Sequence, residues 1–146
     1  MRENEHRILI EFGDTDRAGI VYYPNYLKWF DNATHQFFRS MNLPLSQLVK
    51  EQNIILPLID VRCTFEKPLY DDQWIVIKTK VGKLSKKTIQ FNHEIFLNDE
   101  RVSYGYELRG WVVKGEHGIA AQQIPEDMRQ LLLDGNVIDN EGIFSR

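Results

Sequence analysis

EFGDTDRAGIVYYPNYLKWF, residues 11–30, is the stretch that decides how this chain is read. Upstream of it and into it, Ile8, Ile10 and Phe12 alternate with Leu9 and Glu11, the period of a strand. Two glycines and the pair Asp14 and Asp16 then break the pattern. From Pro24 the period changes: Leu27, Phe30, Thr34, Phe37, Phe38 and Met41 recur at three- and four-residue steps, which predicts an amphipathic helix of about four to five turns. Proline suits the first helical position, because the N–H it lacks would be unpaired there anyway. The two aspartates therefore sit where a strand hands over to a helix. A surface turn accounts for them cheaply. A catalytic carboxylate beside the unpaired amides of a helix start accounts for them too.

Outward from that stretch, MNLP closes the helix and LSQLVKEQN reads as a short helical or irregular segment. The chain is then nearly all strand. ILPLIDVRCTFEKPLY is long and β-rich, with Pro57 and Pro68 near its ends, where strands tolerate proline. Ile75, Ile77, Thr79 and Val81 share one strand face, as do Ile89, Phe91, His93 and Ile95 on the next. An NDE turn at 98–100 leads into RVSYGYELRGWVV, and a KGEHG turn follows. IPEDMRQLLLDG predicts a last helix starting at Pro125 and stopping at Gly135, with a loosely ordered tail beyond. Strand, long helix, about four antiparallel strands and a short helix make an α+β two-layer domain.

Neither a repeat nor a linker divides the 146 residues, so residues 1–146 are read as one domain, a length that buries roughly 68–70% of the unfolded surface. The formal charge of −3 argues against a general nucleic-acid binder. It leaves room for a phosphorylated ligand, since a local lysine cluster holds phosphate on an acidic protein. Cys63 is the single cysteine, which excludes an intrachain disulfide and a cysteine metal cluster; between apolar neighbours it reads as a buried packing residue. No apolar run approaches the ~20 residues of a membrane span, and MRENEHR carries no secretory apolar region, so the expected compartment is the cytoplasm.

At FGDTDRAGIVYYPNYLKWFD the sequence resembles the hotdog-fold acyl-CoA thioesterases, in particular the 4-hydroxybenzoyl-CoA thioesterase group. The shared features are a strand, D-x-D, a glycine, a hydrophobic pair, aromatics with PNY, and an acid two turns into the helix. Element order agrees along roughly residues 5 to 133. The resemblance implies a hotdog fold, an antiparallel sheet of about five strands wrapped around one long helix. It further implies protomers joined sheet edge to sheet edge as a homodimer or homotetramer, with the active site at the dimer interface. The substrate class it implies is an acyl- or aryl-CoA thioester, with coenzyme A as part of the substrate and no separate cofactor.

A thioester has a good leaving group, so a carboxylate plus a site for the carbonyl oxygen suffices for its hydrolysis. Unpaired amides at the start of the long helix would supply that site, and an aspartate in the preceding loop would act as base or nucleophile. Local chemistry does not rank Asp14 against Asp16; the resemblance places the catalytic carboxylate on Asp16 and leaves Asp14 as a turn-stabilising acid. It also puts the carbonyl-polarising amide near Tyr23, with Val21 and Tyr22 shaping the approach and Tyr26 at the site or in the packing. Asp31 matches the position that meets the phenol hydroxyl in hydroxybenzoyl-CoA enzymes, and an ion-paired helix acid is its plain alternative. Leu56 departs from the hydroxyl-bearing residue of those enzymes and leaves a more lipophilic acyl group open. GKLSKKTI, residues 82–89, is a solvated hairpin on composition alone; the resemblance makes Ser85, Lys86, Lys87 and Thr88 the coenzyme contacts. No nearby histidine or third acid completes a metal shell around the aspartates. His93 reads as a core residue, and His6, His35 and His117 as surface positions. There is no G-x-S-x-G for a serine mechanism. A non-catalytic acyl-CoA or acyl-carrier binding module, and a hotdog enoyl-thioester hydratase, remain the alternatives.

Overall fold

A helix with one apolar stripe must bury it, and the stripe here lies against the inner face of an antiparallel sheet. The computed structural model describes residues 2–134, 137–138 and 144–145. In chain order the elements are β1 (Glu3–Leu9), α1 (Pro24–Ser40), α2 (Leu45–Gln52), β2 (Ile54–Ile55), β3 (Leu58–Phe65), β4 (Trp74–Leu84), β5 (Thr88–Leu97), β6 (Glu100–Gly110), β7 (Val112–Gly115), β8 (Gly118–Ala121) and α3 (Glu126–Asp134). Five strands form the main sheet in the order β1-β4-β5-β6-β3, every neighbour antiparallel. This sheet wraps α1, the hotdog arrangement. No helix among the described residues is long and apolar enough to cross a membrane.

The predicted faces hold in the two central strands. Ile75, Ile77, Thr79 and Val81 are buried on β4, and Ile89, Phe91, His93 and Ile95 on β5. Directly opposite residues of an antiparallel pair share a face, so the pairs Ile89↔Arg109, Phe91↔Glu107, His93↔Gly105 and Ile95↔Ser103 turn the polar set of β6 inward. Gly105 is required there. A Cβ on it would lie 1.9 Å from the Arg62 carbonyl oxygen of β3 and 2.9 Å from the Phe30 ring. Two apolar clusters result: one around Phe37, Phe38, Phe91 and Trp111, the other around Tyr26, Trp29, Phe30 and Ile77.

Several sequence expectations need correction. Phe12 leaves the strand, which ends at Leu9, and stands 80% exposed in a 3-10 turn over Phe12–Asp14. Leu27 lies on the exposed side of α1, and Tyr26, Trp29 and Ala33 fill the stripe with the predicted residues. ILPLIDVRCTFEKPLY is two strands in two sheets, because Pro57 falls between β2 and β3. β2 joins β7 and β8 in a three-stranded satellite sheet that alternation did not signal. Cys63 is only half-buried, its Sγ 3.3 Å from Ser103 Oγ. His117 is exposed, whereas His6 and His35 are half-buried. The predicted stop at Gly135 and most of the tail lie outside the described residues.

Candidate active site

The loop between β1 and α1 is built on Asp14. Its carboxylate accepts the Glu11 N–H at 2.9 Å, and its carbonyl accepts both the Tyr22 N–H and the Asn25 side-chain N–H at 2.8 Å. One residue thus fastens the loop entrance to the helix entrance, the turn-stabilising role. Between those ends Thr15 bridges Val21, and the Asp16 N–H bonds to the Ile20 carbonyl at 2.9 Å. The Gly19 N–H returns to the Asp16 carbonyl, with Gly19 at φ +81°, where L side chains are strained. Asp16 lies at the tip of this small hairpin and is exposed. Its Oδ1 accepts the Ala18 N–H at 2.8 Å, which orients the carboxylate, and Oδ2 has no partner among the described residues.

The helix start offers fewer free amides than sequence predicts. The Asn25 N–H bonds to the Tyr22 carbonyl and the Tyr26 N–H to the Tyr23 carbonyl, in the tight pattern of a first turn. Pro24 has no N–H. That leaves the Tyr23 amide, at the N-cap and unpaired among the described residues, at the positive end of α1. Tyr23 lines a cleft of about 320 Å³ with Ile20, Val21, Tyr26, Phe65 and Glu66. Asp16 touches this cleft through its hairpin partner Ile20 and does not itself line it. Val21 is buried there, and its N–H is tied to Leu69. The Tyr26 ring packs 4.7 Å from Phe65, and burial, reinforced by Cys63, pushes its phenol up to about 12. Tyr22 is half-exposed, edge-on to Tyr23.

The lysine turn sits at the far end of the sheet. The Asp16 loop packs beside the start of β4, where the Ile10 N–H meets the Gln73 carbonyl, and the turn over 85–87 follows the end of β4. Eleven residues of strand separate the two, roughly 30 Å at the usual rise. Lys86 and Lys87 are exposed, and their backbone amides have no partner among the described residues.

The family model described as "Thioesterase superfamily" matches residues 18–104, more than half of the sequence. This chain belongs to the thioesterase superfamily. It is 29% identical over 129 residues to a 4-hydroxybenzoyl-CoA thioesterase of Pseudomonas sp. (strain CBS-3), covering 84% of this chain and 92% of that relative. The solved structure of the thioesterase from that strain superposes with a TM-score of 0.83 at 28% identity, over 90% of this chain and 99% of the other. A gentisyl-coenzyme A thioesterase structure superposes at 0.77 with 32% identity, over 86% of this chain and 97% of the other.

Within this thioesterase-superfamily chain the remaining predicted residues converge on a group that sequence reasoning missed. Asp31 is held by Arg109, whose Nη2 donates to Asp31 Oδ1 at 2.8 Å and to Glu107 Oε2 at 2.6 Å. Arg109 Nη1 donates to the Leu56 carbonyl at 2.9 Å, and the Leu56 side chain is buried in the core. Glu107 Oε1 in turn faces His93 Nε2 at 3.0 Å and the Thr34 hydroxyl, and His93 Nδ1 faces Thr79 Oγ1 at 2.8 Å. An ionised Glu107 only accepts, so Nε2 donates to it and Nδ1 accepts from Thr79, which fixes the neutral tautomer. Burial pushes the His93 pKa down against the pull of Glu107. Burial alone would raise the Glu107 carboxyl, but hydrogen bonds from His93 and Arg109 outweigh it and hold it down at about 2. The network lies between the two apolar clusters and bolts α1 to β4, β5 and β6. No group of three or more His, Cys, Asp or Glu side chains is placed to hold a metal among the described residues.

Proposed function

We propose that this chain hydrolyses a coenzyme A thioester of an acyl or aryl acid, releasing the free acid and coenzyme A. The observation that carries this reading is the unpaired Tyr23 amide at the mouth of an apolar-walled cleft, which the hairpin bearing the oriented Asp16 borders through Ile20. The thioester carbonyl oxygen would rest on that amide at the helix's positive end. Asp16 would either deprotonate the attacking water or attack the carbonyl carbon itself, forming an anhydride that water then opens. In both courses the C–S bond breaks and the thiolate leaves with coenzyme A. The acyl group would lie along Val21, Tyr22 and Tyr26. No cofactor is needed beyond the coenzyme that arrives with the substrate, and the proposed setting is the cytoplasm.

Ser85, Lys86, Lys87 and Thr88 would meet the coenzyme phosphates, with free amides at Lys86 and Lys87 adding backbone donors to the two ammonium groups. Roughly 30 Å of strand is farther than the pantetheine arm of coenzyme A reaches between its sulfur and its diphosphate. One substrate therefore requires Asp16 from one protomer and the lysine turn from another. The β3 edge favours such pairing. β3 ends the sheet with Leu58, Ile59 and Phe65 exposed, whereas the other edge, β1, is guarded by Glu3, Glu5 and Arg7. At the acyl end, Asp31 keeps Oδ2 for a substrate hydroxyl, while the buried Leu56 offers no hydroxyl of its own.

The test is thiol release from a panel of acyl- and aryl-CoA esters by the native chain, Asp16→Asn and Asp14→Asn. Asp16→Asn is expected to lower turnover by ~10²–10⁴ and to keep ligand binding. Asp14→Asn is expected to weaken the fold and leave the chemistry. Normal turnover in both variants, or ligand binding without turnover in the native chain, refutes the reading.

A further inference from the structure

Three successive carbonyls in the turn between β4 and β5 are held from one side by the C-terminal part of the chain. The Trp111 N–H donates to the Lys87 carbonyl at 2.8 Å and the Ile124 N–H to the Lys86 carbonyl at 2.9 Å. Arg129, on α3, donates through Nη2 to the Ser85 carbonyl at 2.9 Å and to the Lys86 carbonyl at 3.4 Å. Among the described residues Arg129 is the one side chain that does this. With the carbonyls turned inward, the Lys86 and Lys87 amides remain unpaired on the other side of the turn.

The choice of donor is informative. Lys83, Lys86 and Lys87 already place three positive charges on five residues, and none of them joins an ion pair among the described residues. A neutral glutamine would tie two carbonyls without adding a fourth cation to that repulsion. Arg129 is half-buried, and its Nε and Nη1 have no partner among the described residues, so its unspent donors and its charge stay at the turn. With three lysines beside it, that charge is placed to meet an anion bound on the turn.

We propose that Arg129 is a positioning residue for the phosphates of the substrate. It fastens the Ser85 and Lys86 carbonyls so that the amides and ammonium groups of Lys86 and Lys87 face one phosphate together, and it adds its own charge behind them. The inference rests on the coenzyme A reading above.

The experiment compares two substrates with the same acyl group, one on coenzyme A and one on pantetheine, which lacks the nucleotide phosphates. Arg129→Met is expected to raise KM for the acyl-CoA about tenfold with kcat within about twofold, the scale of one charge-assisted hydrogen bond. Its kcat/KM on the pantetheine ester is expected to stay at the native value, and Arg129→Lys to recover part of the acyl-CoA loss. A merely structural arginine would lower both substrates alike, and that result overturns the proposal, as does no change in either. Should Arg129→Met fail to fold, Arg129→Lys carries the test, with a smaller KM rise confined to the acyl-CoA. The double variant Lys86→Met, Lys87→Met is the reference. If it separates the two substrates and the Arg129 variants do not, only this inference falls; if it does not separate them, the coenzyme reading of the turn falls with it.

Discussion

Replacing Glu107 by Gln removes one charge from the middle of the helix–sheet interface and almost no volume. Glu107 is 1% exposed and is the anion shared by His93, Thr34 and Arg109. Its carboxyl stands at about 2 in the fold against an ordinary 4.5. At about 1.4 kcal/mol per tenfold in proton affinity, the ionised form contributes about 3 kcal/mol at pH 7. Breaking a buried ion pair by removing one partner costs a similar ~3–5 kcal/mol. The sign is set by a depressed carboxyl: the contribution is complete above 4.5 and drains as pH falls toward 2. The gap between native chain and variant should therefore be about 3 kcal/mol at pH 7 and roughly half that by about pH 3. Urea unfolding followed by tryptophan fluorescence measures it, at one fixed protein concentration because the proposed subunit pairing would add to apparent stability. A gap under about 1 kcal/mol at pH 7, or one equally large at pH 3, would refute the placement of this charge.

Gly105→Ala should cost about 3 kcal/mol or more, since the new methyl meets the backbone of β3 and only a strand shift relieves it; thermal unfolding checks this against Gly115→Ala, whose nearest neighbour lies at 3.6 Å. A native-like melting point for Gly105→Ala would contradict the β3–β6 register. Ile59→Lys puts a charge on the exposed β3 edge and is expected to yield folded monomers without turnover, read by sedimentation and circular dichroism; an active dimer would show that β3 is not the joining edge. Lowering pH from 7 to 5 should reduce stability through His93, whose folded pKa lies below its unfolded value, so that the unfolded chain binds the proton first. His93→Gln should flatten that part of the pH profile, and an unchanged slope would mean that His93 is not the group responsible.

What could be read from sequence was what local chemistry decides. The change of period at Pro24 located α1, because a stripe at three- and four-residue steps has one way to be buried. Alternation on β4 and β5 gave their inward faces, both strands being apolar on one side. The satellite sheet escaped: two- and four-residue strands carry too few alternations to register, and β8 is exposed throughout. The free helix amides were overcounted, since sequence does not show that the first turn would close on itself through Asn25 and Tyr26. Asp16 was singled out through a family pattern, and its orientation by the Ala18 amide is a matter of loop geometry.

Glu107 and Arg109 were missed for a more instructive reason. On β6 the apolar Leu108 stands between two charges, and the ordinary rule turns Leu108 inward and the charges out. The register does the opposite, because Phe91 lies opposite Glu107 and Ile89 opposite Arg109 on the inner face. What makes this tolerable is long-range: His93 and Thr79 from neighbouring strands, Thr34 and Asp31 from the helix. None of these partners is nearby in sequence, so the cost of burial and its compensation are written in different places along the chain. The same holds for catalysis on the proposed reading. Asp16 and the lysine turn lie at opposite ends of one sheet, and neither makes a site until a second copy brings the other within reach. Core polarity is thus a property of register and, on the proposed reading, the active site one of assembly, where a motif such as D-x-D marks only the part that a single loop can hold.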